Sequence, residues 1–247
     1  MNRHSARRFA IIFTAAATAA VAAPQAGAQE YEKTREQRQE LRADREARRL
    51  DAARQRQLIL EQQRRNELYK TYLQRQELAA QRQATQYERA RQLARYRYQQ
   101  QYMQQLRDQR LALARSYDYN NDPYYYTAPT YRYTRGGRTY QTNQYGAEAL
   151  QQAVNYGYQQ GVQAGQADRS DGYRGDYRKT YAYQDASYGY SGRYVNQTDY
   201  SYYFREGFRR GYTDGFNGRL QYGTQNGGTL GILSSVLGTI LNLAEMN

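Results

Sequence analysis

The chain has 247 residues, 36 Lys and Arg against 23 Asp and Glu, a net charge of +13, 30 Tyr, no Cys and no Trp. The absence of cysteine excludes disulfides, thiolate metal sites and Cys nucleophiles. The single histidine, His4, sits near the start, so a chain that loses its first residues also loses any Ser-His-Asp system or histidine proton shuttle.

Residues 1–28 read as a secretory signal. Arg3, Arg7 and Arg8 form a positive start, Phe9 to Ala23 an apolar run, and Ala26-Gly27-Ala28 a small-x-small cleavage site. A run this short and alanine-rich falls below the ~20 strongly apolar residues of a spanning helix. The expectation is a chain exported to the periplasm or beyond, starting at Gln29, with net charge +10 and no transmembrane span.

From residue 29 to residue 116 there is neither Gly nor Pro, and Gln, Arg, Glu, Ala and Leu dominate. All are good helix formers. Acid precedes base at helical spacing in Glu32–Arg35, Asp44–Arg48, Glu61–Arg65, Glu67–Lys70 and Glu88–Arg91, each pair worth ~0.2–0.5 kcal/mol. This predicts one long polar helix. Its apolar stripe is thin: Leu68, Tyr72, Ala79, Tyr87, Ala90, Ala94, Tyr98, Tyr102, Leu106 and Leu113 share a slowly drifting face. Steps of 11 residues suit a nearly straight helix and at most a weak coiled coil. The segment holds 21 basic against 12 acidic residues, whereas residues 117–247 hold 12 against 11. The sequence therefore reads as a basic arm on a nearly neutral, tyrosine-rich body.

Residues 117–145 form a turn-rich linker containing Pro123 and Pro129, followed by a hairpin signal. Around Gly136-Gly137 the sequence is nearly mirror-symmetric, setting Tyr133 opposite Tyr140 and Thr134 opposite Thr139. A two-residue Gly-Gly turn with an aromatic cross-strand pair is what such symmetry implies.

Residues 146–222 carry a repeated glycine ladder. Gly157, Gly161 and Gly165 recur fifty residues later as Gly207, Gly211 and Gly215. A period of four is helical, so each ladder is a bare stripe against which another backbone can lie. Six helical glycines cost about 5–6 kcal/mol in intrinsic propensity, which only tertiary packing can offset. In the second helix Phe204, Phe208, Tyr212 and Phe216 form an aromatic ridge beside the glycines, expected to seat in the groove of the other helix. Tyr173 through Tyr194 lie between the two and are expected to wrap the pair. Asp168, Asp171 and Asp176 lack the spacing of a calcium loop, and read as caps or partners for nearby arginines.

The stretch from about 130 to 222 resembles a group of uncharacterised exported bacterial proteins with the same paired segments. In them a Gly-Tyr-x-x-Gly-x-x-x-Gly-x-x-Asp piece, here Gly157 to Asp168, precedes a Tyr-Phe-Arg-Glu-Gly-Phe-x-x-Gly-Tyr-x-Asp-Gly piece, here Tyr203 to Gly215. The resemblance covers a little over a third of the chain, its motifs are structural, and it implies no activity.

Residues 223–247 carry no charge before Glu245. With Thr229 as a cap, Leu230, Leu233, Leu237, Leu241 and Ala244 would make the apolar face of one short docked or oligomerising helix.

The fold expected is mainly α: a long N-terminal helix and a small Tyr/Gly-rich module of packed helices with a β-hairpin. No catalytic residue, cofactor, metal or small-molecule substrate is expected. The functional expectation is an exported, non-enzymatic structural or interaction protein of the cell envelope, with an envelope partner or self-association. The alternative is binding of an anionic polymer (lipopolysaccharide, cell-wall polymer or nucleic acid) through the Arg/Tyr stretch containing Arg89, Arg91, Arg95 and Arg97.

Overall fold

The computed structural model describes residues 33–39, 42–43, 49–173 and 175–246, and the expected signal segment lies outside the described residues. The chain divides into two units, Met1–Ala47 and Arg48–Asn247. In the first, residues 33–39 are helical. All elements named below belong to the second, which is mainly helical with small antiparallel sheets.

Two helices, α1 (Ala52–Arg89) and α2 (Leu93–Leu113), replace the single long helix expected over 29–116. Asp51 caps α1, accepting hydrogen bonds from the backbone of Ala53 and Arg54 at 2.9 Å. The break follows Ala90, where Arg91 takes a left-handed φ of 55°. Arg91 N donates to Glu88 O and Gln92 N to Tyr87 O, the paired bonds of a Schellman helix end. Glycine usually fills that left-handed position, and an arginine there leaves no trace in a search for helix breakers.

The chain then folds back, so α2 packs antiparallel on α1. The face α1 buries differs from the expected stripe: Tyr69, Leu73, Ala80, Ala84 and Tyr87 are buried together with Gln62 and Asn66, while Leu68 is 64% exposed. Two polar residues on the buried face hid it from a reading based on hydrophobicity. Gln62 donates to Asn66, and Asn66 donates to the Tyr119 hydroxyl at 2.7 Å, so neither amide is left unbonded in the interior.

Strands β1 (Tyr131–Arg135) and β2 (Arg138–Thr142) form the expected hairpin, with Tyr133 paired to Tyr140 and Thr134 to Thr139. Gly136 and Gly137 both have positive φ, as the turn matching strand twist requires. Next come α3 (Gln144–Ser170), the short α4 (Tyr181–Asp185) and α5 (Gln197–Asn217). Asn143 caps α3 and Asn196 caps α5 through their side-chain oxygens.

The C-terminal segment is not one helix. Strands β3 (Gly223–Asn226) and β4 (Thr229–Ile232) make a second hairpin whose turn, Gly227-Gly228, repeats the chemistry of Gly136-Gly137. Thr229 lies in β4 and caps nothing. A helix α6 (Ser234–Leu241) follows, and β5 (Ala244–Glu245) pairs antiparallel with β1 to give the order β2-β1-β5. Leu241 of α6 is buried, whereas Leu233 and Ala244 remain exposed. Among the described residues no helix is long and apolar enough to cross a membrane.

One hydrophobic cluster joins the α1–α2 hairpin to α3 and α5. Residues 52–113 are therefore part of the core, and the expected boundary near 116 does not separate two bodies.

Candidate functional site

Helices α3 and α5 run parallel and in direct backbone contact. A Cβ placed on Gly157, Gly161 or Gly165 would overlap the carbonyl oxygen of Phe204, Phe208 or Tyr212, respectively. On Gly207, Gly211 or Gly215 it would overlap that of Val154, Tyr158 or Val162. Phe204, Phe208 and Tyr212 are fifty residues beyond Val154, Tyr158 and Val162, so one contact is drawn twice about a pseudo-twofold axis along the pair. Each helix supplies the bare stripe on which the other's carbonyls rest.

The aromatic ridge does not enter the glycine groove; its backbone does. Its rings stack on one another along α5, with centroids 6.2 Å apart for Phe204–Phe208, 6.5 Å for Phe208–Tyr212 and 6.0 Å for Tyr212–Phe216. They face the connection between α3 and α5, where Tyr183 meets Phe208 and Tyr177 meets Tyr212. Parallel helices need a connection long enough to return the chain to the starting end. Residues 171–173 and 175–196 make that return between the α1–α2 hairpin and the ladder pair, and Tyr181 and Tyr190 are buried in it.

A core built of tyrosine must satisfy hydroxyls, and buried aspartates do so. Tyr158 on α3 donates to Asp214 on α5 at 2.8 Å, and Tyr212 on α5 donates to Asp168 on α3 at 2.6 Å. Tyr133 donates to Asp199 at 2.7 Å, tying the β-hairpin to the start of α5. Asp185 accepts from Tyr102 on α2 at 2.6 Å, from Tyr72 on α1 at 3.1 Å and from Ser187 at 2.8 Å. Burial raises the Asp168 and Asp185 carboxyls above the usual aspartate value, although Tyr212 and Arg95 pull the first back and Tyr102 and Ser187 the second. Burial also pushes the Tyr102, Tyr158 and Tyr212 phenols up. Among the described residues no group of three or more His, Cys, Asp or Glu could hold a metal ion.

The four arginines proposed as polyanion contacts separate in the fold. Arg89, Arg91 and Arg97 are exposed at and beside the hairpin turn, and among the described residues they have no ion-pair partner. Arg95 is 6% exposed and is withdrawn from that role. Its Nε lies 2.9 Å from Asp168 Oδ1, and its guanidinium sits 4.2 Å from the Tyr87 ring centre and 3.7 Å from that of Tyr173. Beside it, Asp171 accepts from the backbone of Ala94 and Arg95 at 3.0 and 2.8 Å, capping α2 from outside. Asp171 thus serves as a cap, and Asp168 as the partner of an arginine that is distant in the sequence rather than a nearby one.

Removing one member of a buried ion pair leaves the other charge uncompensated, at a cost of about 3–5 kcal/mol. Arg95→Gln is therefore expected to lower the unfolding free energy by about that much, and Arg97→Gln to change it by less than about 0.5 kcal/mol. Urea titration followed by circular dichroism checks both. Equal midpoints for the two variants would contradict the placement of Arg95.

At the other end of the hairpin lies a feature the sequence did not signal. The α1 stretch 60–70, the last turn of α2 and the loops at 117–119 and 193 enclose a cleft of about 500 Å³. Among the described residues, Arg64, Lys70, Arg115 and Arg193 line it against one acid, Glu67. These residues are 129 positions apart at the extremes, and no local pattern links them.

The geometry defines a mainly α protein centred on a parallel, glycine-laddered helix pair. The chain matches no family model, no curated protein and no solved structure.

Proposed function

We propose that this is an exported, non-enzymatic structural or interaction protein of the bacterial cell envelope. The observation that carries the reading is where the reactive side chains are used. Asp168, Asp185, Asp199 and Asp214 are all buried and all accept tyrosine hydroxyls, so these carboxylates are spent on holding the core together. Export rests on the sequence: the arginines at 3, 7 and 8, the apolar run and the small-x-small site. The resemblance to exported proteins with the same paired segments points the same way.

The test is to express the full chain in a Gram-negative host, fractionate the cells and sequence the N-terminus of the recovered protein. A start at Gln29 in the periplasmic or envelope fraction, with crosslinking to an envelope component or to a second copy, is expected. An uncleaved chain retained in the cytoplasm overturns the reading.

Binding of anionic polymers is a second reading, favoured by Arg89, Arg91 and Arg97, which are exposed and have no ion-pair partner among the described residues, and by the basic cleft. Each phosphate neutralised would add about −0.7 to −0.9 to the slope of log affinity against log salt.

A further inference from the structure

We propose that the cleft at the open end of the α1–α2 hairpin binds an anionic saccharide, a sugar carrying a phosphate or carboxylate, through Arg64, Arg115 and Arg193. The inference rests on the anionic-polymer reading for its ligand class and moves the contact away from the hairpin turn.

Charge comes first. Glu67 is held by Lys70 at 2.8 Å, so this pair cancels and three guanidinium groups remain without an ion-pair partner among the described residues. A guanidinium is a planar fork of donors that matches phosphate and carboxylate oxygens two at a time.

Position comes second. Arg193 is fixed rather than loose: its guanidinium lies 3.8 Å from the centre of the Tyr117 ring. The Tyr117 hydroxyl is in turn held by Asp122. Gly192, just before it, has a φ of +70°, and a Cβ there would overlap the Asn66 side chain, so this loop is pinned against α1. Asn66 also donates to Tyr119, which fixes the neighbouring wall. One anchored guanidinium and two exposed ones therefore line the same cleft.

Size and lining choose the ligand. A cavity of about 500 Å³ is far larger than an inorganic anion and falls within the ~300–1,000 Å³ of small-molecule sites. The Gln63 amide and the Tyr119 hydroxyl, which accepts from Asn66 and keeps its own proton to donate, supply donors and acceptors for sugar hydroxyls. A stacked nucleobase fits less well. One face of Tyr117 is taken by Arg193, and Tyr119 meets Tyr117 and Tyr125 edge to face at 5.0 and 5.5 Å.

The test titrates the full chain by calorimetry with glucose 6-phosphate, with trigalacturonate and, as the neutral control, with glucose. Saturable binding of at least one anionic sugar and none of glucose is expected; which one binds separates phosphate from carboxylate. Losing hydrogen bonds to charged groups should make Arg64→Gln/Arg115→Gln/Arg193→Gln bind about tenfold more weakly or worse. Arg89→Gln/Arg91→Gln/Arg97→Gln should bind as the parent does. Should the Arg193 change alter folding, seen as a shifted melt, the exposed double change Arg64→Gln/Arg115→Gln carries the same test with a smaller loss. Failure of the parent to bind either anionic sugar overturns the proposal. If the parent still binds lipopolysaccharide and only the turn variant loses that binding, the cleft is wrong and the polymer reading stands. If the parent binds no anionic sugar or polymer, both fall.

Discussion

Gly161→Ala and Gly211→Ala are each expected to destabilise the 48–247 unit, by about 1–3 kcal/mol or more. The sign is the informative part. In an ordinary helix interior alanine is favoured over glycine by about 1 kcal/mol, so propensity alone would stabilise both variants. The added methyl at Gly161 would overlap Phe208 O and lie 2.7 Å from Tyr212 N; at Gly211 it would overlap Tyr158 O and lie 2.8 Å from Tyr158 C. These are backbone atoms of a facing helix and cannot rotate away, so the pair must separate along its length. Gly161→Leu should leave the unit unfolded. Gly238→Ala in α6 is the control: no atom lies within 4 Å of its added methyl, and a gain of up to about 1 kcal/mol is expected. Urea denaturation of the three alanine variants decides it. A ladder variant as stable as the parent would show that the helices are not in backbone contact.

Alkali should unfold this protein in a steep, cooperative step. Tyr69, Tyr98, Tyr102 and Tyr200 are buried, and burial pushes their phenols well above the ordinary value of 10. A phenol whose pKa is raised in the folded state keeps its proton there while the unfolded chain loses it. Its contribution to stability is thus complete below pH 10 and is lost as pH climbs toward the folded value. Well above pH 10 each such group removes about 1.4 kcal/mol per pH unit, and the four together about 5.5 kcal/mol per unit. A total stability of about 5–15 kcal/mol is exhausted within one to three units. Tyrosinate absorbance and far-ultraviolet circular dichroism, followed together from about pH 9 to pH 12.5, should show helix loss coinciding with a jump in tyrosinate. Smooth titration near 10 with the helices intact would mean that these hydroxyls are not buried as described.

The sequence by itself determined the features that neighbours along the chain control. Mirror symmetry around Gly136-Gly137 specified a hairpin and its register, because a two-residue turn leaves one pairing. The fifty-residue repeat specified two helices with matching bare stripes, because six glycines at period four have no use in an isolated helix. The same turn chemistry at Gly227-Gly228 was equally legible, but the leucines after it read as one helical face and masked it. What only the tertiary structure decided were contacts between distant segments. Whether the ladder helices run parallel depends on where residues 171–196 return. The end of α1 at Arg91 is a left-handed arginine, tolerated because the folded-back hairpin buries Tyr87, Arg95 and Tyr98 beside it. Arg95 reads in the sequence as one more surface charge in an Arg-Tyr run. It becomes a core residue because Asp168, 73 positions later, arrives within 2.9 Å, and a charge can leave water only where an opposite charge and its hydrogen bonds replace what water supplied.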